Sequence, residues 1–313
     1  MNKAPDPADF IQPLNMNGLS GRMLYLPAPK KHNREILVIY GHHALLERWW
    51  GLVQNFNDYG AVTMPDIPGF GGMDSFYKIG QKATLDNYAD YMAAFIKMRY
   101  KRRKVTIVGI SFGFLIVTRM LQRYPELTDK VEFLISALGF MHHDDFTFTR
   151  RRYLFYRYTP LLFLTPVTAG LFRYVGLNAL VLRTAYRHTH NAKQKFAEYA
   201  RNDELSERLM DMEIQLWQQN DVRTYMKTTI EMLSVDNCQK KINLPVWHVH
   251  TKKDHFFNNR IIEQHMRVVY GDFQGANIDI KTHAPSILAD KKASAVMVPK
   301  ELRRLLSKTD KAK

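Results

Sequence analysis

The chain has 313 residues, 46% of them apolar and 24% charged; this excludes a disordered or fibrous protein and suits one large α/β domain with an insertion or two smaller domains. Lysine and arginine total 45 against 30 aspartates and glutamates, a net charge of +15, which either favours anionic surroundings (phospholipid head groups, nucleic acid, acidic substrates) or marks a plain solvated basic surface. The single cysteine, Cys238, excludes an internal disulfide and suits a reducing cytoplasm.

Residues 1–9 carry two prolines and no apolar stretch, so they do not read as a signal peptide. Residues 23–26 read as a strand. Residues 35–40 (Glu-Ile-Leu-Val-Ile-Tyr) form a continuous apolar run, as in a strand buried on both faces. Residues 61–64 are a third strand, running into the loop Pro65-Asp-Ile-Pro-Gly-Phe-Gly-Gly72. Residues 85–98 have helical spacing at Tyr88, Met92, Phe95 and Ile96.

The most informative stretch follows. The β-branched run 104–110 ends in Gly109-x-Ser111-x-Gly113 and passes at once into a helical pattern over 112–124. This predicts Ser111 on a sharp strand-to-helix turn, strained and exposed above a helix N-terminus. Gly109 and Gly113 are expected where side chains would collide with the neighbouring strand and helix. The five-residue pattern is weak alone and much stronger in this placement.

Residues 131–137 are another strand. From 140 to about 240 no convincing strand occurs; Phe, Tyr, Leu, Arg and Met dominate, with helical spacing in places. Strands resume at 246–250 and 277–281, with a helix at 259–270 between them and a final basic helix at 299–307. Strands alternating with helices predict a mostly parallel sheet. The expected organisation is an α/β core from 1–140 and 239–313, interrupted by a helical cap over 141–238. The most membrane-like stretch, 159–182, is broken by Pro160, Pro166, Arg173, two glycines and several polar residues, and falls short of a span of about 20 apolar residues.

A serine hydroxyl is a poor nucleophile near neutral pH and needs a base, itself oriented by a third group. Asp254 follows the strand at 246–250, and His283 follows the strand at 277–281. The order Ser111, Asp254, His283 is that of the α/β-hydrolase arrangement. Asp144, after the preceding core strand, is the rival acid.

Four segments carry the resemblance to a family. Gly109-Ile-Ser-Phe-Gly113 resembles the nucleophile elbow of the alpha/beta-hydrolase fold superfamily. Tyr40-Gly-His-His43 resembles its His-Gly oxyanion loop, with tyrosine in place of the first histidine. Pro65-Asp66 to Gly71 resembles its Asp-x-x-Gly-x-Gly loop, with Asp66 read as a loop stabiliser. The segments ending in Asp254 and holding Thr282-His283-Ala-Pro resemble its acid and histidine segments. The resemblance covers roughly residues 20–310. It implies a sheet of about eight strands, Ser111 as nucleophile, His283 as general base and acid, Asp254 as orienter, and the backbone N–H groups of His42 and Phe112 as the oxyanion hole. It implies no cofactor and no metal.

Other histidines invite a metal reading: His248 and His250 on one strand face with His255 nearby, His188 with His190, and His142, His143, Asp144 and Asp145. Without accompanying ligand spacing they read as packing or polar cap residues. No phosphate loop or dinucleotide fingerprint occurs. The basic clusters at 101–104, 150–152 and 311–313 match no nucleic-acid fold, so no specific nucleic-acid partner is expected. Residues 150–164 mix cations with aromatic and aliphatic side chains; they line an apolar pocket or, in the sharper reading, rest on anionic lipid. The expected function is serine hydrolysis of a carboxylic ester or related acyl bond, on a hydrophobic small molecule, in the cytoplasm or at a membrane periphery. The alternatives are an acyltransferase or carbon–carbon hydrolase using the same residues, and a non-catalytic membrane-associated binding protein.

Overall fold

In the computed structural model, the buried apolar runs become the centre of one eight-stranded sheet. Residues 5–188, 203–252, 254–280, 283 and 289–309 are described. The strands are β1 (Ile11–Met16), β2 (Leu19–Leu26), β3 (Glu35–Ile39), β4 (Ala61–Pro65), β5 (Val105–Ile110), β6 (Val131–Ala137), β7 (Ile242–Thr251) and β8 (Tyr270–Ile278). Their order is β1-β2-β4-β3-β5-β6-β7-β8. The β1–β2 and β2–β4 pairs are antiparallel, and all later pairs are parallel. Every residue of β4 and β5 is buried, because helices cover both faces of a parallel sheet.

The helices of the first half are α1 (Trp50–Asn57), α2 (Leu85–Arg99) and α3 (Phe112–Arg123). In α2, Leu85, Tyr88, Ala89, Met92, Phe95 and Ile96 fall on one buried face, and the Thr84 side chain caps the start by accepting from the Asn87 N–H. Between β6 and β7 the described chain has helices α4 (Arg150–Tyr158), α5 (Pro166–Leu171), α6 (Ala179–His188), α7 (Asp203–Gln219) and α8 (Val222–Met232), and a π-helical turn at Phe172–Gly176. Among the described residues the only strand-type pairings here are the isolated bridges His142–Asp236 and Phe146–Phe257. Part of this layer has its own core, in which Ala169, Leu177 and Leu182 meet Met210, Ile214, Val222 and Met226. Helices α9 (Asn259–Val269), α10 (Lys291–Ser294) and α11 (Lys300–Thr309) complete the chain.

Two edges differ from the sequence reading. Strand β1 had no counterpart there. It is an edge strand containing Pro13, which a central strand would not tolerate. The signal for it is the turn: Asn17 and Gly18 have φ of 54° and 78°, the Asn-Gly pairing of a tight hairpin. At the other edge, β8 runs from 270 to 278, earlier than the expected 277–281. Its residues are mostly exposed and include two glycines, so no apolar run marks it. It is held by register with β7, Trp247 opposite Gln274 and Val249 opposite Ala276.

The parallel strands end together. Ile39 pairs with Gly109, Gly109 with Ser136, and Ser136 with His248. Loops leaving the C-terminal ends of β3, β5, β6 and β7 therefore meet above one edge of the sheet, where α/β folds place their sites.

Candidate active site

Strand β5 delivers Ser111 onto the turn into α3 with φ 50° and ψ −115°, a strained conformation for a non-glycine residue. The two glycines let helix and strands come this close. A Cβ on Gly109 would stand 2.6 Å from the Phe114 Cα, and one on Gly113 would overlap the Ile39 carbonyl oxygen. Among the described residues, two of the three other non-glycine residues with positive φ, His43 and Leu138, lie just past β3 and β6, at the same end of the sheet. Strain is concentrated there.

The structure brings His283 to Ser111 across 172 residues of chain. The two lie 3.0 Å apart, His283 Nε2 to Ser111 Oγ, and His283 Nδ1 donates to Asp254 Oδ2 at 2.7 Å. Asp254 Oδ1 accepts the N–H groups of Phe256 and Phe257 at 2.8 and 3.2 Å. Burial works against ionisation of Asp254, whose side chain is 3% exposed. The hydrogen bonds from His283 and the two backbone groups outweigh it, so this carboxyl titrates below the ordinary aspartate value. An ionised Asp254 fixes the imidazole proton on Nδ1 and leaves the Nε2 lone pair facing the serine.

The rival acid stands elsewhere. Asp144 is exposed, and its partners are the His142 and His143 rings, at 3.6 and 3.4 Å. Its buried neighbour Asp145 ties the loop after β6 to α9, accepting from the Met141 and His142 N–H groups and from His265 Nδ1.

The loop after β3 lies against the serine turn: a Cβ on Gly41 would stand 3.2 Å from the Ser111 Cβ. The N–H of Phe112, the first residue of α3, belongs to the helical turn that has no intrahelical acceptors. The His42 ring is turned away toward α8. Its Nε2 meets Thr228 Oγ1 at 2.9 Å, and its ring packs on those of Tyr225, Phe70 and Phe112. Burial lowers this imidazole to about 4. Its neighbour His43 packs at a tilt against Trp217, ring centroids 4.1 Å apart, and accepts from the Asn220 amide. The partners Trp217, Asn220, Tyr225 and Thr228 were not legible in the sequence, because they come from the helical layer some 180 residues further on.

The tyrosine that departs from the family pattern has a partner. Tyr40 donates to Asp66 at 2.7 Å and accepts the Ile67 N–H, while Asp66 also takes Arg22 at 3.1 Å. Burial, then the Asp66 charge, holds the phenol protonated well above its usual range. This buried network pins the loops after β3 and β4 behind the serine.

Among the described residues, the group whose atoms converge enough to hold a metal is His142, His143 and Asp144, within 4.8 Å of one another. His248 and His250 stack face to face at 5.4 Å on β7. His190 and most of the sequence around it lie outside the described residues, as do Thr282, Ala284, Pro285 and the lysines of 311–313. A cleft of about 430 Å³, lined by residues such as Asp86, Arg119 and Glu231, contains none of the Ser111–His283–Asp254 set.

His248 is 2% exposed and bonded through Nδ1 to Ser136 Oγ at 3.0 Å. Burial, then His250, lowers it to about 3. Between pH 3 and the unfolded value near 6.5 the unfolded chain binds a proton that the native state refuses, so stability falls on acidification through this window. Replacing His248 by Gln should flatten the pH dependence of unfolding free energy there by about 1.4 kcal/mol per pH unit, one proton's worth. Denaturant titrations at pH 7, 6 and 5 read this directly; parallel slopes for the two proteins would contradict it.

A family model described as alpha/beta hydrolase fold matches residues 36–265. No curated protein sequence matches the chain. Among solved structures, a thermophilic esterase from Thermogutta terrifontis is 14% identical with a TM-score of 0.62, covering 96% of this chain and 99% of that one. An enol-lactonase from Burkholderia xenovorans is 12% identical with a TM-score of 0.63, over 95% and 100%. MenH from S. aureus is 11% identical with a TM-score of 0.62, over 91% and 98%. At these identities the likeness is one of fold. With the family model spanning most of the chain and the sheet order, the strained turn and the converging loops all in place, this protein belongs to the alpha/beta hydrolase fold family.

Proposed function

We propose that the protein is a serine hydrolase that cleaves a carboxylic ester or related acyl bond. The observation that carries this reading is the continuous hydrogen-bonded line Ser111–His283–Asp254, 3.0 and 2.7 Å per link. In the forward step the Ser111 Oγ attacks the acyl carbonyl carbon while its proton passes to His283 Nε2. The imidazolium, held by Asp254, returns that proton to the departing alcohol. Water then repeats the sequence against the acyl-serine, giving its proton to His283 and releasing the acid and the free serine. The N–H groups of Phe112 and His42 are the donors for the transient oxyanion, each worth about 3–4 kcal/mol in such sites. The His42 ring, neutral and committed to Thr228, takes no part.

We read the helical layer between β6 and β7, residues 141–238, as a cap. Phe256 and Phe257 beside His283 and Tyr225 beside His42 favour an apolar acyl or aryl substrate. A cytoplasmic location fits a single cysteine whose thiol burial raises to about 12, unreactive at neutral pH. Among the described residues no helix is long and apolar enough to cross a membrane.

The test is a fluorophosphonate probe with intact-mass and peptide analysis. One adduct per chain, on the peptide holding Ser111, is expected, together with turnover of short chromogenic esters. A protein that turns over esters without labelling at Ser111 would refute the mechanism. Adding an alcohol acceptor and following products separates hydrolysis from acyl transfer by the same intermediate.

A further inference from the structure

We propose that the outer face of α4, α5 and the turn after them is a docking surface for an anionic phospholipid bilayer. Fifteen large apolar side chains are exposed among the described residues, and eleven of them fall between residues 154 and 181. Scattered exposed apolar residues need no explanation, but a concentration in one layer does. On α4 the exposed residues Arg151, Leu154, Phe155 and Tyr158 follow i, i+3, i+4, i+7 spacing, one stripe of a helix. The opposite stripe faces inward, where Tyr153 donates to the Leu233 carbonyl and Arg157 to the Ile230 carbonyl. The stripe resumes with Val167, Leu171 and Tyr174, which are 80%, 65% and 80% exposed. Beneath it Ala169, Phe172 and Leu177 fill the small inner core. Segment α5 and the turn after it are thus apolar on both sides, and α4 carries an apolar outer stripe over a polar, hydrogen-bonded inner one; only the inner side is covered by described protein. A soluble surface helix would carry charge along its whole outer side, whereas the only charge in this stripe of α4 is Arg151 at its start.

The charge on the same segment selects the occupant. Residues 146–188 contain seven arginines and no aspartate or glutamate. Arg150, Arg151 and Arg173 are exposed at the edges of the apolar stripe. A second copy of this chain would set arginines against arginines, whereas an anionic head-group layer is attracted to them and accepts the apolar side chains beneath. The face also reaches the rim of the candidate active site: the Arg152 guanidinium lies over the Phe148 and Phe256 rings at 4.6 and 5.9 Å, and the Phe256 ring lies 5.7 Å from that of His283. Docking rests on this surface alone and does not depend on the catalytic reading.

The experiment is flotation of the full chain with vesicles of phosphatidylcholine alone and with 30 mol%, an about one-third anionic mixture, of phosphatidylglycerol. Binding to the anionic vesicles at about 0.1 M salt is expected, several-fold weaker at 0.5 M salt and on the neutral vesicles. Val167→Glu with Tyr174→Glu should lower the bound fraction about tenfold or more, and Arg150→Gln with Arg151→Gln should remove most of the anionic preference. Circular dichroism and turnover of a water-soluble ester verify that these surface variants fold. Absence of flotation by the wild-type chain, equal flotation on neutral and anionic vesicles, or wild-type binding by the folded glutamate variant each overturns the proposal. So does a stable dimer by light scattering that Tyr174→Glu dissociates, since the face would then be an interface between copies.

Discussion

Ser111→Ala should reduce ester turnover by about 10⁴–10⁶, which is roughly 5–8 kcal/mol of lost transition-state stabilisation. The loss should fall on kcat and leave KM nearly unchanged, because in the proposed mechanism the hydroxyl acts in bond formation and contributes little to ground-state binding. The same substitution should abolish fluorophosphonate labelling. Ser111→Gly should be equally inactive and more stable than the native chain by about 1 kcal/mol, since glycine accepts φ 50°, ψ −115° without a Cβ penalty. Thermal unfolding of the two variants side by side separates catalysis from strain. An Ala variant that retains wild-type esterase activity would overturn the assignment of the nucleophile.

Asp254→Asn should lower kcat by about 10⁴ without unfolding the protein. The side-chain oxygen that accepts the Phe256 and Phe257 N–H groups survives in asparagine, so the loop keeps its anchor. The amide nitrogen, however, now faces His283 Nδ1. Two donors cannot meet, so the imidazole proton moves to Nε2 and the lone pair that takes the serine proton in the proposed mechanism is lost. Asp144→Asn should change kcat by less than about twofold, because that carboxylate is exposed and lies against His142 and His143. The pair of measurements discriminates between the two acids: equal losses, or a larger loss at 144, would reverse the assignment.

Local pattern carried much of the architecture. Strands β3, β5 and β6 are apolar runs because both sheet faces are covered, and such runs are visible without knowing the partner strands. The turn at Ser111 is equally local: two glycines, a serine, a strand before and a helix after. The edge strands were less legible. Strand β1 holds a proline and β8 is mostly exposed, and an edge strand is defined by its neighbour as much as by its own residues.

Taken alone, the amino-acid sequence determined the fold class, the elbow and the order of serine, aspartate and histidine along the chain, because each is written in spacing within a few residues. Only the tertiary structure decided which aspartate meets His283, that the His42 ring turns toward Thr228, that Tyr40 closes a buried network with Asp66 and Arg22, and that Leu154, Phe155, Val167 and Leu171 of α4 and α5 point outward. These depend on packing between segments 26 to 186 residues apart. A helical repeat reports that a face is apolar; what covers that face, or leaves it bare, is settled by the surfaces that fold against it.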